Sequence, residues 1–253
     1  MTLREQILTV IWKEWQEING QLNNQRRGRL LALGLFFVTG TALPLTSDSS
    51  WAGGGMVLLF WLMAPYLFTS QMVADSFAGE RERHTLETLL ASPLPDRAIY
   101  YGKLLTPTLV VWVGTQLWIF YTLIPFNIVH GGDGLQVFPL EIAIGGIVLS
   151  FMLALTMCAV GVLASMHAPS TQNAQTRIGT ILMVIFTLPL VLGGLAFTLP
   201  TDQLQSLIDM LTNLSIGHGL IIGMVVLGLL AFGLIRYGLY RFRRSRMILD
   251  LSG

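Results

Sequence analysis

The sequence predicts an all-α, polytopic membrane protein. It has six transmembrane helices, an N-terminal amphipathic interfacial helix and both termini cytoplasmic. Three observations carry that prediction. Only 11% of the 253 residues are charged, 53% are hydrophobic and the mean hydropathy is +0.65, whereas soluble domains carry about 25% charged residues. Six runs approach the roughly 20 mostly apolar residues that a spanning helix needs. Finally, all fifteen basic residues fall in the connections of one side.

The six runs cover residues 30–46, 56–74, 104–126, 142–166, 178–199 and 219–235, and none contains Asp, Glu, Lys or Arg. The first and the sixth are the shortest; at ~1.5 Å per residue each reaches about 26 Å. On one side lie Arg4, Lys13, Arg26, Arg27 and Arg29, then Arg81, Arg83, Arg97 and Lys103, then Arg177, and finally Arg236, Arg241, Arg243, Arg244 and Arg246. The remaining three loops hold Asp48, Asp133, Glu141, Asp202 and Asp209 and no base. Basic residues resist translocation, so the basic side is cytoplasmic. The start is expected to stay uncleaved: Arg26-Arg27 precedes an apolar run that ends at Pro44-Leu45-Thr46 without a small-x-small site. This divides the chain into an interfacial helix (1–29), a six-helix transmembrane domain (30–240) with its main inner loop at 75–103, and a basic tail (241–253).

Before the first run, Leu3, Ile7, Ile11, Trp15, Ile18 and Leu22 recur every three or four residues and make one helical stripe. Thr2 and Glu5 have the spacing of a capping box. With Trp12 and Trp15 present, this helix suits the cytoplasmic interface of a bilayer. Residues 203–214 carry a smaller stripe of Leu204, Leu207, Ile208, Leu211 and Leu214, which Asp202 can cap, and which points to a short helix at the outer leaflet. Pro65 and Pro189 are expected to kink the second and fifth spans. Ala154, Cys158, Gly161 and Ser165, and Gly219 with Gly223, form small-residue stripes that permit close helix contact in lipid. Cys158 is the sole cysteine, so no intrachain disulfide is available.

The chemistry present is sparse. Burying an ionised side chain mid-membrane costs at least ~2.5–3.5 kcal/mol on insertion scales, and ion-coupled carriers keep such residues for coupling; the six spans have none. Gly102-Lys103 is followed by Leu104 and lacks a preceding glycine loop, so it is no phosphate-binding loop. There is no His-Glu-x-x-His metal motif and no Gly-x-Ser-x-Gly elbow. His167 and His218 belong to opposite membrane faces, with His130 outside and His84 inside. Ser215 with His218 reads as two polar residues at a helix entrance. Catalytic, cofactor and metal sites are therefore expected to be absent from this chain.

The densest charge cluster is 75–103. Glu80 with His84 and Arg83 with Glu87 are i,i+4 pairs that can support a short helix. Leu86, Leu89 and Leu90 form its apolar face. Ser92-Pro93-Leu94-Pro95 ends it, and Asp96 can cap the next helix. A solvated loop helix and a docking knob for a cytoplasmic partner both fit this composition.

The run Glu80-Arg81-Glu82-Arg83-His84-Thr85-Leu86-Glu87, then Leu90, Ser92-Pro93-Leu94 and Gly102-Lys103, resembles the loop after the second helix in permeases of the ABC exporter type 2 (ABC-2 type transporter) family. Glycine is common there at the position of His84. The resemblance implies a coupling helix that inserts into a separate ATP-binding cassette ATPase, with Glu80, Glu82, Thr85, Leu86, Glu87 and Leu90 as transmitting residues. It implies that the N-terminal helix touches the same ATPase, that ATP and Mg are bound by that partner, and that two permeases, identical or not, act together. An exporter in a bacterial or archaeal cytoplasmic membrane follows, with no nucleic-acid partner. The competing readings are a membrane-integral enzyme and a membrane anchor that transmits ATPase motion to other proteins without transport. Uncharged spans point toward lipidic or amphipathic cargo, although sodium, drug, haem and lipid exporters share the plan.

Overall fold

A computed structural model describes residues 2–24, 26–47, 55–196 and 216–242. Those residues fold as helices α1 (Leu3–Asn24), α2 (Arg26–Leu45), α3 (Gly55–Ala74), α4 (Ala78–Glu82), α5 (Leu86–Ala91), α6 (Asp96–His130), α7 (Leu140–Met166), α8 (Thr171–Ala196) and α9 (Ile216–Arg241), with a 3-10 turn at Gly131–Asp133. No strand occurs among them. The outer stripe at 203–214, its cap Asp202, and Ser215 lie outside the described residues.

Three helices, α6, α7 and α9, are long and apolar enough to cross a membrane. Shorter apolar helical stretches, Leu33–Leu45 and Val57–Tyr66, lie within α2 and α3. The α3 and α8 helices each continue through their proline, Pro65 and Pro189, as single elements. Asp96 is the first residue of α6 rather than its cap; extended Pro95 stands at the cap position without a side-chain hydrogen bond. Proline there presets the entry to the helix and leaves Asp96 to favour its positive end.

The α7 helix is the centre of the packing, touching α3, α6, α8 and α9. Half of its most apolar window is buried, against 6% for that of α9. Small residues bring the neighbours in. A side-chain carbon on Gly146 would stand 2.9 Å from Trp61 Cε2, and one on Gly161 would stand 2.6 Å from Val73 Cγ1. Ala154, Cys158, Gly161 and Ser165 are all buried, so this stripe packs within the chain. On α9, Gly223 meets Leu149 while Gly219 faces open space. A polar chain crosses the same core: Trp61 Nε1 donates to Gln116 Oε1 at 3.0 Å, and Gln116 Nε2 donates to Ser150 Oγ at 2.9 Å. Hydrogen bonds of this kind join α3, α6 and α7 where lipid offers no other partner.

The capping box of α1 forms as its sequence predicts: Thr2 N donates to Glu5 Oε2 at 2.9 Å and Glu5 N to Thr2 Oγ1 at 3.4 Å. The buried line of α1 is displaced from the apolar stripe, however. Val10 and Glu14 are buried, Ile7, Ile11 and Ile18 are half-buried, and Leu3 and Trp15 are exposed. Gly102 on α6 is the reason for half of that shift. A carbon added there would lie 2.6 Å from Val10 Cβ, so α1 seats its valine in the hollow that glycine leaves. Glu14 supplies the other half.

Candidate functional site: a junction built around α4

The five residues of α4 make too short a helix to hold itself, since isolated short helices are unstable in water. Side chains from four other elements fix it. At its start no residue of its own provides a cap. Ser165 of α7 does so: its Oγ accepts from Phe77 N at 3.1 Å and Ala78 N at 3.0 Å, and donates to Ala74 O at 3.0 Å. One hydroxyl therefore joins the end of α3, the start of α4 and the C-terminal end of α7.

The successive charged residues then point in different directions. Arg81 lays its guanidinium on the Met166 and Ala168 carbonyls at the C-terminal end of α7, the Met166 bond being 2.9 Å. A cation there meets the negative end of the helix dipole. Glu82 accepts from Thr171 N and Thr171 Oγ1, both at 2.9 Å, and so caps α8. Arg83 pairs with Asp75 at 2.9 Å; Gly79 lies beneath, where any side chain would collide with Asp75. Burial disfavours the Arg83 cation, but the hydrogen bond and charge of Asp75 outweigh it and raise its pKa.

Glu80 turns inward. It is 1% exposed, and its Oε1 lies 3.1 Å from the ammonium of fully buried Lys103 on α6. Lys103 also donates to Glu14 Oε1 at 2.9 Å and to the Ser76 carbonyl at 2.5 Å, and lies over the Phe77 ring at 5.1 Å. From the solvent side Lys13 reaches Glu80 at 2.6 Å and Glu17 at 3.0 Å. Burial disfavours the Lys13 ammonium too, but Glu80 above all, with Glu14 and Glu17, more than offsets this and raises its pKa. The motif pair Gly102-Lys103 thus has two physical tasks. The glycine admits α1, and the lysine binds the carboxylates that α1 and α4 bring.

Glu14, Glu17 and Glu80 bring carboxylate oxygens within 4.8 Å of one another. That donor set suits a hard cation in isolation. Here the ammonium of Lys13 lies within 3.7 Å of all three carboxylates and supplies the positive charge, so the cluster does not fit a resident metal.

The predicted single helix with Glu80/His84 and Arg83/Glu87 pairs is two helices, because the chain reverses at His84, φ +56°. His84 N donates to Arg81 O at 3.1 Å and Thr85 N to Glu80 O at 2.9 Å. This is the paired bonding of a Schellman ending, whose left-handed position favours glycine. A non-glycine residue there costs roughly 1–2 kcal/mol, against about 0.4–1 kcal/mol of chain entropy that glycine loses on folding. His84→Gly is therefore expected to stabilise the protein by up to about 1.6 kcal/mol, read as a raised unfolding midpoint in detergent.

Beyond the reversal, α5 is held by Leu86 and Leu90, both buried among Val73, Phe77, Ile99 and Tyr100. The proposed transmitting residues therefore divide. Glu80, Leu86 and Leu90 are buried in the chain itself, and Glu82 is engaged with Thr171. Thr85 and Glu87, together with His84, Thr88 and Ala91, are exposed. Sequence reasoning read Ser165 only as a small packing residue and passed over Glu14. An acid on the edge of an apolar helical stripe was the available signal for Glu14. Ser165 had none, because its partners are backbone groups nearly ninety residues away.

The match to known families decides what this junction belongs to. The description ABC-2 family transporter protein matches residues 67–245, which include α4 to α7, Glu80, Lys103 and Ser165. This chain belongs to the ABC-2 transporter family. No curated protein matches the sequence. The matched segment of the ABC-2 chain begins inside α3, so Lys13 and Glu14 reach the junction from outside it. The family identifies the chain as a membrane permease component, in keeping with three spanning-length apolar helices. ABC-2 permeases are in general non-catalytic transport subunits that work with an ATP-binding subunit.

Proposed function

We propose that this chain is the membrane-spanning permease subunit of an ATP-driven exporter, crossing the membrane six times with both termini cytoplasmic. Two permeases form the pathway, and two separate ATP-binding subunits, holding ATP and Mg, drive it from the cytoplasmic side of a bacterial or archaeal membrane. The observation that carries this reading is the wiring of α4. One five-residue helix is bonded to α1, α6, α7 and α8, so a displacement of the adjoining α5 is delivered to four helices together. That supports the loop at 75–103 as the place where ATPase motion enters.

The wiring also refines which residues meet the partner. Glu80, Leu86 and Leu90 transmit from inside, and Glu82 carries the motion to α8. The contact surface is the exposed row of Thr85, Glu87, Thr88 and Ala91. Glu87→Lys should lower stimulation of the co-purified ATPase about tenfold, equivalent to about 1.4 kcal/mol, with no change in the unfolding midpoint. Full stimulation by that variant would exclude the row as the contact. Stimulated hydrolysis without cargo movement in proteoliposomes would favour an anchor that transmits motion to other proteins.

A further inference from the structure

The cations of the junction are consumed within the protein: Arg81 by carbonyls, Arg83 by Asp75, Lys103 by Glu14 and Glu80. The end of α9 is different. From residue 216 to 249 the sequence holds five arginines, Arg236, Arg241, Arg243, Arg244 and Arg246, and no acid. Arg236 and Arg241 are exposed, and among the described residues neither forms an ion pair. Each guanidinium is held over an aromatic ring one helical turn earlier, Arg236 over Phe232 at 5.8 Å and Arg241 over Tyr237 at 5.7 Å. Arg241 Nε also donates to Tyr237 Oη at 3.0 Å. The side chains are therefore oriented in advance while remaining exposed. A single arginine at a helix C-terminus answers the helix dipole, which accounts for Arg241 and not for the series.

The opposite face of the same turns is pinned. Gly238 lies against Tyr100, and buried Phe242 packs at a tilt on Phe77 and Tyr100 with ring centres 5.5 and 6.3 Å apart. Phe77 is the residue whose amide Ser165 holds at the start of α4. The outer face of α9, by contrast, is apolar up to this point, with Ile222, Val226 and Leu229 exposed. Exposed apolar turns followed by aromatic and arginine side chains, with no acid, match the order of acyl chain, interface and anionic headgroup across one leaflet.

We propose that the arginine end of α9 is a binding site for anionic phospholipid headgroups, and that an occupied site steadies the α4 junction through Phe242. The chemistry recognised is a phosphodiester or phosphate oxyanion, met by guanidinium forks. The lipid is favoured over free phosphate because the apolar turns of α9 continue the site toward the acyl chains. This rests on the topology proposed above, which places that end at the inner leaflet.

The test is native mass spectrometry of the detergent-purified full chain titrated with phosphatidylglycerol or phosphatidylcholine, with unfolding midpoints in parallel. Each juxtamembrane arginine is worth about fivefold in affinity for an anionic surface. Arg236→Gln with Arg241→Gln should therefore weaken phosphatidylglycerol binding about twenty-fivefold and leave phosphatidylcholine unchanged. Arg236→Lys with Arg241→Lys should retain most of the preference. Phosphatidylglycerol should raise the midpoint of the parent and not of the glutamine variant. Equal retention of both lipids by the parent, or an undiminished preference in the glutamine variant, overturns the site. Competition by inorganic phosphate as effective as by phosphatidylglycerol overturns the lipid assignment. Impermeant labelling of a cysteine at position 240 in cells reports separately on topology; labelling from outside, with the lipid preference intact, keeps the site and rejects the proposed orientation.

Discussion

Lys103→Met should destabilise the protein by roughly 3–5 kcal/mol, the usual cost of removing one partner from a buried ion pair. The ammonium is fully buried and serves Glu14, Glu80 and the Ser76 carbonyl together. The cluster as it stands sets two lysines against three glutamates, Lys13 and Lys103 against Glu14, Glu17 and Glu80. Losing one lysine leaves Glu80 buried with Lys13 alone. The helix that depends on it most is α1, whose Glu14 has turned inward to reach it. Limited proteolysis should therefore cut near residues 20–26 in the variant at conditions where the parent resists. Adding Glu80→Gln to Lys103→Met removes the uncompensated charge and should recover part of the loss. A double variant as unstable as the sum of the two single variants would show that the groups do not act as a pair.

Ser165→Ala should cost about 3 kcal/mol or more. The hydroxyl satisfies two buried N–H groups and one carbonyl, and each group left unsatisfied costs about 1–3 kcal/mol. No other residue caps α4, so its start has no substitute donor or acceptor from its own chain segment. Ser165→Thr keeps the hydroxyl but adds a methyl in a fully buried position; it tests whether hydrogen bonding or volume dominates. Thermal unfolding of the three forms in detergent separates the cases. A midpoint for Ser165→Ala equal to that of the parent would mean that water or backbone adjustment replaces the serine.

Much of this architecture is legible in the sequence. Leucine and isoleucine spacing located α1, its Thr2–Glu5 cap and the long helices. Small residues marked the contact face of α7, because close approach leaves a compositional trace at every fourth position. The charged loop was located as well, through its acidic and basic density. The directions of its side chains were not legible. A reading by i,i+4 spacing assumes one continuous helix, and the left-handed turn at His84 breaks that assumption. It also assumes that charge in a loop seeks solvent or a partner. Glu80, Arg81 and Glu82 instead satisfy an ammonium, a helix C-terminus and a helix N-terminus of their own chain. Those partners lie between 23 and 89 residues away, beyond the reach of local pattern.

Isolated turns of helix exchange their amide hydrogens almost as fast as open chain, because they unravel without disturbing anything else. The amides of Phe77 and Ala78 are bonded to a hydroxyl on α7, so they can exchange only when that tertiary contact opens. Their protection should then follow the larger unit made by α3, α6 and α7 rather than the length of α4. In a deuterium-uptake time course, residues 75–83 should label with the core, while the row from Thr85 to Ala91 labels earlier. A stretch of chain nine residues long would in that case keep the slow clock of the whole bundle, and a mechanical input at its neighbour would meet a rigid lever.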